Sequence, residues 1–314
     1  MKVFITGGSG FVGSHLVDRL LAKNNQIVVI DNFNTGRRDN LKAHPNLEVV
    51  EETIANAAAM DQIFMRFKPD VVVHAAASYK DPANWIEDCQ TNVLGTINVI
   101  NAAKKAACRR MIYFQTALGY GLHPKEQPIT LTHPFDARGT SYAISKTAGE
   151  HYVELSGLDF VSFRLANAYG PRNISGPLPT FYQRLTHHKT CFVMDTRRDF
   201  VYIQDLIDCV EKAVIGIGNG YYHISSGSDY SIKELFDATL QALNIQLDKE
   251  VEVRPRNPDD VFSILLDPSR TKVDFVWQVT TPLVEGVKTA IDYYKQYGIE
   301  ETYTHLHLPE TEQA

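Results

Sequence analysis

The 314-residue chain has few cysteines, no long hydrophobic run and no excess of positive charge. Cys89, Cys108, Cys191 and Cys209 are widely spaced with no C-x-x-C pair, so neither a disulfide framework nor a zinc site is indicated. Reduced, mostly buried thiols and no metal are expected. The start, MKVFITGG, has no hydrophobic signal segment, and the apolar stretches are far too short to span a bilayer. A cytoplasmic protein without membrane contacts is the expectation. Lys and Arg number 31 against 37 Asp and Glu, a formal net charge of −6. That balance offers no basic face to a nucleic-acid backbone, so nucleic acid is not an expected partner. An obvious linker is also missing, and the length suits one big domain or two closely joined ones.

What is present starts at the first residues. Val3 to Ile5 is a β-rich run, Phe11 to Ala22 carries apolar residues at helical spacing, and Gln26 to Ile30 is a second buried strand. Between the first strand and the helix, Gly7, Gly10 and Gly13 form a G-x-x-G-x-x-G frame. Missing side chains there let the turn tighten, the backbone approach a pyrophosphate and the helix close on the strand. The amides of the first helical turn, around Phe11 and Val12, then face the phosphates. Asp31 ends the second strand 18 residues after Gly13, and a carboxylate there suits a ribose diol and repels a 2′-phosphate. The pattern predicts a dinucleotide site that takes NAD rather than NADP. Asn32 follows in a turn-rich loop beside the adenosine ribose, where Arg37 and Arg38 read equally as phosphate contacts or as solvated arginines.

The alternation continues with strands at Leu47 to Val50, Asp70 to His74, Met111 to Thr116 and Phe160 to Leu165, and helices at Ala57 to Phe67, Trp85 to Ala107 and Ser141 to Leu155. Such β–α repetition with apolar strands requires a mostly parallel sheet covered on both faces. The fold class is therefore α/β, a Rossmann-type doubly wound parallel sheet over residues 1–168. Ala75 and Ala76, at the end of the fourth strand, allow close approach of a cofactor. Over residues 169–314 shorter elements separated by glycine and proline read as a smaller substrate-binding lobe over the carboxyl ends of the sheet, with some exchange of strands and helices between the two parts. The last dozen residues, with His305 and His307, read as a solvated tail.

Tyr142 and Lys146 stand four residues apart on one helical face. With the glycine frame, Thr116, Asn92-Val93-x-Gly95-Thr96, Tyr120-Gly121, Arg164-x-x-Asn167-x-Tyr169-Gly170-Pro171 and Arg198-Asp199-Phe200-Val201-Tyr202-Ile203-x-Asp205, they make the chain resemble the extended short-chain dehydrogenase/reductase family. The resemblance is to its nucleotide-sugar epimerase and dehydratase branch, and it runs from Met1 to about Tyr297. It is similar in particular to a sub-branch of UDP-sugar 4-epimerases found in bacterial surface-polysaccharide gene clusters. The resemblance implies that Tyr142, Lys146 and Thr116 are catalytic, that Asn92 faces the nicotinamide side of the cofactor, and that Thr53 and Ile54 stand at the adenine end, where many relatives have an Asp. It places Asn167, Arg198, Lys80 and Asp260 on the substrate side, with Asn257 in the place of a second diphosphate arginine and Arg256 one residue off. A free phenol has a pKa near ~10. A lysine cation at ~6 Å in an effective dielectric of ~20 would favour the phenolate of Tyr142 by about 2 to 3 kcal/mol.

Ala117 and Leu118 follow Thr116, where 4,6-dehydratases of this type carry Asp-Glu or Glu and the UDP-glucuronate decarboxylases usually a Glu. Without that acid the simplest complete chemistry is oxidation at C4, rotation of the keto sugar and hydride return to the opposite face. An NAD-dependent C4 epimerase acting on a UDP-hexose or UDP-hexuronate is expected. The alternatives are a dehydratase or decarboxylase whose acid comes from another loop, and a non-catalytic NAD-binding regulator on the same fold. Lys80, Arg138 and Arg172 are candidates to read a sugar carboxylate. The helices Trp85 to Ala107 and Ser141 to Leu155 resemble those that pair across a two-fold axis in this family, so a homodimer is expected, with Ala102, Ala103, Ala106 and Ala148 permitting close packing either there or, equally, against the sheet.

Overall fold

A computed structural model of the chain describes residues 1–256, 260–299 and 302–303. Seven parallel strands form the central sheet: β1 (Lys2–Thr6), β2 (Gln26–Asp31), β3 (Leu47–Glu51), β4 (Val71–His74), β5 (Arg110–Thr116), β6 (Asp159–Leu165) and the later strand Gly220–Ile224. Across the sheet they run Gly220–Ile224, β6, β5, β4, β1, β2, β3. Successive residues of a strand point to opposite faces, and here both faces are apolar. Phe4, Val28, Ile30 and Val72 pack with Met60 and Phe64 of the helix α2 (Ala57–Phe67), whereas Val3, Ile5, Val29 and Val73 pack with Leu16, Val17 and Leu20 of α1 (Phe11–Leu21). The strand order reverses between β1 and β4, so the loops that follow these strands diverge and leave a crevice at the carboxyl edge.

The helical pattern at Trp85 to Ala107 resolves into α3 (Trp85–Asp88), a wide π turn (Cys89–Gly95) and α4 (Thr96–Lys105). The π turn crosses α5 (Ser141–Leu155) closely at Gly149, where a Cβ would lie 2.4 Å from the Tyr113 hydroxyl and 2.8 Å from the Asn92 carbonyl oxygen. Such single wide turns occur mostly at functional sites. Ala102 and Ala103 are fully buried against α2 and the sheet, the second of the two packings their small side chains allow. The outer faces of these helices instead expose Trp85, Ile86, Leu94, Ile144, Tyr152 and Leu155.

The second half interlocks with the first. Besides its strand in the main sheet, its helix Ile203–Val214 lies along α1, where Arg19 donates to Asp208 at 2.5 Å and to Glu211 at 3.0 Å. Three small sheets stand beyond the carboxyl edge: Asn167–Tyr169 with Phe200–Tyr202, Phe192–Met194 with Glu252–Arg254, and Arg197–Arg198 between Tyr230–Ser231 and Ser263–Ile264. All four cysteines are free; Cys108 and Cys209 are buried, Cys89 exposed. Among the described residues no helix is long and apolar enough to cross a membrane.

Candidate active site

The crevice at the β1/β4 switch has a volume of about 560 Å³, and its wall contains Gly7, Gly10, Phe11, Val12, Gly13, Asp31, Asn32, Thr53, Ile54, Ala75 and Ala76. The glycines are needed for different reasons. Gly7 has φ +66°, and a Cβ on it would lie 2.7 Å from the Ala76 backbone; a Cβ on Gly13 would lie 2.3 Å from the Gly7 carbonyl oxygen. A Cβ on Gly10 would meet only the Gly7 oxygen, at 3.3 Å, so what Gly10 keeps open is the crevice itself. Asp31 is buried, and its carboxylate accepts from the Ser9 amide at 2.8 Å and the Phe33 amide at 2.9 Å. Burial raises its pKa, against those two amides. The loop arginines are matched to carboxylates: Arg37 to Asp39 at 2.7 Å, and Arg38 to Glu51 at 2.6 Å while it lies over the Phe33 ring. A cradle without side chains at the glycine turn and a carboxylate at the end of β2 fit a dinucleotide with a free ribose diol.

Tyr142, Lys146 and Thr116 lie beyond the inner end of this crevice rather than on its wall. The Tyr142 ring stands 5.6 Å from that of Tyr79, which does line the crevice. Helix α5 starts where the Thr140 hydroxyl accepts from the Ala143 amide at 3.0 Å. Its next turn is fixed by β5: the Lys146 carbonyl accepts from the Tyr113 hydroxyl at 2.9 Å and from Gln115 Nε2 at 3.1 Å, and the Lys146 ammonium lies 4.1 Å from the centre of the Tyr113 ring. Thr116, the last residue of β5, follows Gln115 directly, and its hydroxyl accepts from the Leu118 amide at 3.2 Å. Lys146 is 2 % exposed, and burial pushes its pKa down to about 7, with Glu150 opposing. Burial raises the phenol of Tyr142, and Tyr79 and Asp88 add to the rise. The expected lowering of Tyr142 by Lys146 is thus not produced by the chain's own groups: burial dominates, and Tyr79 and Asp88 act in the same direction.

Asn92 is not on the crevice wall. Its amide donates to the Ser78 carbonyl at 2.9 Å and to Ser145 Oγ at 3.0 Å, and its Oδ1 accepts from the Ser78 amide at 2.9 Å. It clamps the loop carrying Tyr79 to the helix carrying Tyr142. The π turn is itself held from the sheet: Thr96 Oγ1 donates to the Asn92 carbonyl at 2.7 Å, so His74 Nε2 must be the donor of its 2.9 Å bond to Thr96, and Nδ1 accepts from Thr6 at 2.7 Å. Burial lowers the pKa of His74 to about 3, which keeps that ring neutral. Asp88 is buried beside the hydroxyls of Ser141 and Ser78, and its Oδ1 has no hydrogen-bond partner among the described residues.

The groups expected on the substrate side are arranged differently. Arg198 donates to both oxygens of Asp260, at 2.7 and 2.9 Å, and to the Arg197 and Val261 carbonyls at 2.7 and 3.0 Å. Asn167 is exposed at the edge of its short strand, its backbone amide bonded to the Asp199 carbonyl at 2.9 Å. Asp199 is fully buried on Ser225 and Ser226, and burial pushes its pKa up to about 6. Lys80 is exposed on the crevice rim, Arg138 pairs with Asp136, and Arg172 pairs with Asp18 at 2.7 Å on the crevice wall. Arg256 donates to the Asp260 carbonyl at 2.8 Å. Asn257, His305 and His307 lie outside the described residues. The sequence reading missed Tyr79, Asp88 and Tyr303. The first stands four residues past Ala75, where position alone pointed to the crevice; the tail reading is corrected at Tyr303, which lines the crevice.

A glycine-turn dinucleotide crevice leading to a helix that carries Tyr-x-x-x-Lys, with the lysine buried, defines a dinucleotide-dependent enzyme of the short-chain dehydrogenase type. The chain belongs to the NAD dependent epimerase/dehydratase family, whose profile matches residues 3–217. It is similar to the Bordetella bronchiseptica enzyme WbmH solved in complex with NAD+, at 54% identity and a TM-score of 0.92 over 95% of this chain and 99% of that one. WbmG from the same organism, solved with NAD and UDP, is 42% identical with a TM-score of 0.91 over 98% and 99% of the two chains. A UDP-glucose 4-epimerase of Mycolicibacterium smegmatis is 30% identical over 94% of this chain and 99% of its own length. The protein is an NAD-dependent enzyme of the nucleotide-sugar epimerase class.

Proposed function

We propose that the protein interconverts the C4 epimers of a UDP-hexose or UDP-hexuronate through a 4-keto sugar. The observation that carries this reading is the turn after Thr116, in which Ala117 is buried and Leu118 packs into the core. That turn brings no carboxylate to the catalytic end of α5, so it supplies neither the acid for a leaving hydroxyl nor the base for a C5 proton. Tyr142 takes the C4 hydroxyl proton and later returns it, Thr116 holds the same oxygen, and Lys146 supports the phenolate. Bound NAD supplies the hydride acceptor and a positive ring that offsets the raised phenol of Tyr142. UDP is supported by the likeness to the UDP-bound and UDP-glucose enzymes above. Incubation with a panel of nucleotide sugars in deuterated water, followed by proton NMR, tests the reading. An epimer pair of unchanged mass without deuterium at C5 is expected; an unsaturated, keto or pentose product assigns a dehydratase or decarboxylase instead.

The same reading includes a homodimer. Trp85, Ile86 and Leu155 are 67%, 72% and 79% exposed, an unusually apolar surface for adjacent helices, and pairing with a second copy would cover it. Light scattering at micromolar concentration checks this; a monomer would refute it.

A further inference from the structure

Tyr303 is 224 positions from Tyr79, yet their hydroxyls share a hydrogen bond of 3.0 Å and their rings stand 5.5 Å apart. On its other side the Tyr303 hydroxyl lies beside that of Thr35. Thr35 belongs to the loop after β2 and Tyr79 to the loop after β4, and β1 with its glycine turn runs between those two strands. A side chain that reaches both loops bridges the two banks of the crevice, whose wall it shares with Gly7, Gly10 and Gly13. The backbone fixes it there: the Tyr303 amide donates to the Ile174 carbonyl at 3.2 Å, its carbonyl accepts from the Gly176 amide at 3.1 Å, and the Thr302 hydroxyl donates to Gln183 Oε1 at 3.0 Å. A second tie joins the same banks, Asn34 Nδ2 donating to Glu87 Oε1 at 3.0 Å.

We propose that Thr302 and Tyr303 form a clasp over the dinucleotide crevice, with Tyr303 as a wall of the NAD site that keeps the cofactor in place between turnovers. The purpose of the clasp rests on the epimerase reading: an enzyme that returns its hydride to the same sugar regenerates NAD in place and has no use for cofactor exchange, whereas a net oxidant must release it. Release of NAD requires the Tyr303 contacts to Tyr79 and Thr35 to part. Burial raises the Tyr303 phenol, which keeps it a neutral hydrogen-bonding group.

The test is NAD retention by the purified protein after gel filtration, with the release rate followed by fluorescence of bound NADH. Tyr303→Ala, and a chain stopped at residue 299, are expected to release cofactor about tenfold faster or more, from the lost ring contacts and hydroxyl bond. Tyr303→Phe, which keeps the ring, falls between them and the wild type, and a chain stopped after Tyr303 behaves as the full chain. Unchanged retention in Tyr303→Ala overturns the proposal, as does slower release, which would make Tyr303 an obstruction. Loss of NAD from the chain stopped after Tyr303 overturns it too. No sugar enters this measurement, so a clasp that retains NAD in a protein that epimerises none of the nucleotide sugars would refute the epimerase reading alone.

Discussion

The cofactor side and the substrate side of this site are prepared in opposite ways. On the cofactor side the glycine turn and Ala75 and Ala76 bring bare backbone and small residues to the wall, and the Asp31 carboxylate is already held by two amides from its own neighbourhood. Among the groups expected on the substrate side, charges hold each other: Arg198 grips Asp260 across 62 positions of sequence. Spacing determines a glycine turn, because its function is the path of the backbone. It does not determine the partner of an arginine, which takes whichever carboxylate the fold brings into reach.

The largest expected effect separates chemistry from cofactor binding. Tyr142→Phe should lower turnover by about a thousandfold, the range of a lost general base, while NAD content after gel filtration stays at the wild-type level. Normal turnover in that variant would remove Tyr142 from the mechanism; lost NAD would mean that α5 also builds the crevice.

Next is the arginine pair. Arg198→Met leaves the Asp260 carboxylate, 6 % exposed, without its cation, and should destabilise the fold by about 3 to 5 kcal/mol in urea titrations. The double variant Arg198→Met/Asp260→Leu should recover most of that. A single-variant cost below about 1 kcal/mol would show that the pair is loose and that Arg198 is free to turn to a diphosphate.

Within the crevice, Gly13→Ala and Gly10→Ala sharpen the contrast further. The first drives a methyl into the Gly7 backbone and should cost about 1 to 3 kcal/mol of stability. The second touches only the Gly7 oxygen at 3.3 Å, so thermal unfolding should hardly move while NAD affinity falls. Equal losses of stability would contradict the separate roles assigned to the two glycines.

Much of this was legible from periodicity. The helices Ala57–Phe67 and Ser141–Leu155 are found at the expected bounds, the first on an apolar stripe of Met60, Ile63 and Phe64 and the second on a buried face that also carries Ser145, Lys146 and Glu150. The π turn at Cys89–Gly95 was not, because one extra residue in a helical turn leaves the apolar pattern almost unchanged. Asn92 was placed at the cofactor by motif, but its role as a clamp depends on Ser78 and Ser145, two partners that no local pattern links. The sequence left the Ala102 and Ala103 faces open because an alanine stripe suits helix-on-helix and helix-on-sheet packing equally; both are buried in the fold. Tyr303 had no signal at all: its contacts span most of the chain.

The last expected effect is set by pH and concerns a buried lysine that the fold compensates only in part. Lys146 is buried with a pKa lowered to about 7 from the ordinary 10.5. Glu150 is already engaged by Arg164 at 3.0 Å and by Ser162 at 2.5 Å, so it compensates the lysine only in part. Between the two pKa values the unfolded chain binds the proton and the folded chain does not, so stability rises with pH across that window. Below it the lysine is protonated in both states and the full cost of burying a cation is felt; above it the cost is gone. Lys146→Met should therefore melt higher than the wild type near about pH 6, and the difference should shrink steadily as pH rises towards about 10. Thermal melts at constant NAD concentration measure it. A difference that grows with pH, or a Lys146→Met protein less stable throughout, would show that the ammonium is paired in the fold and that its position one turn after Tyr142 carries no cost in stability.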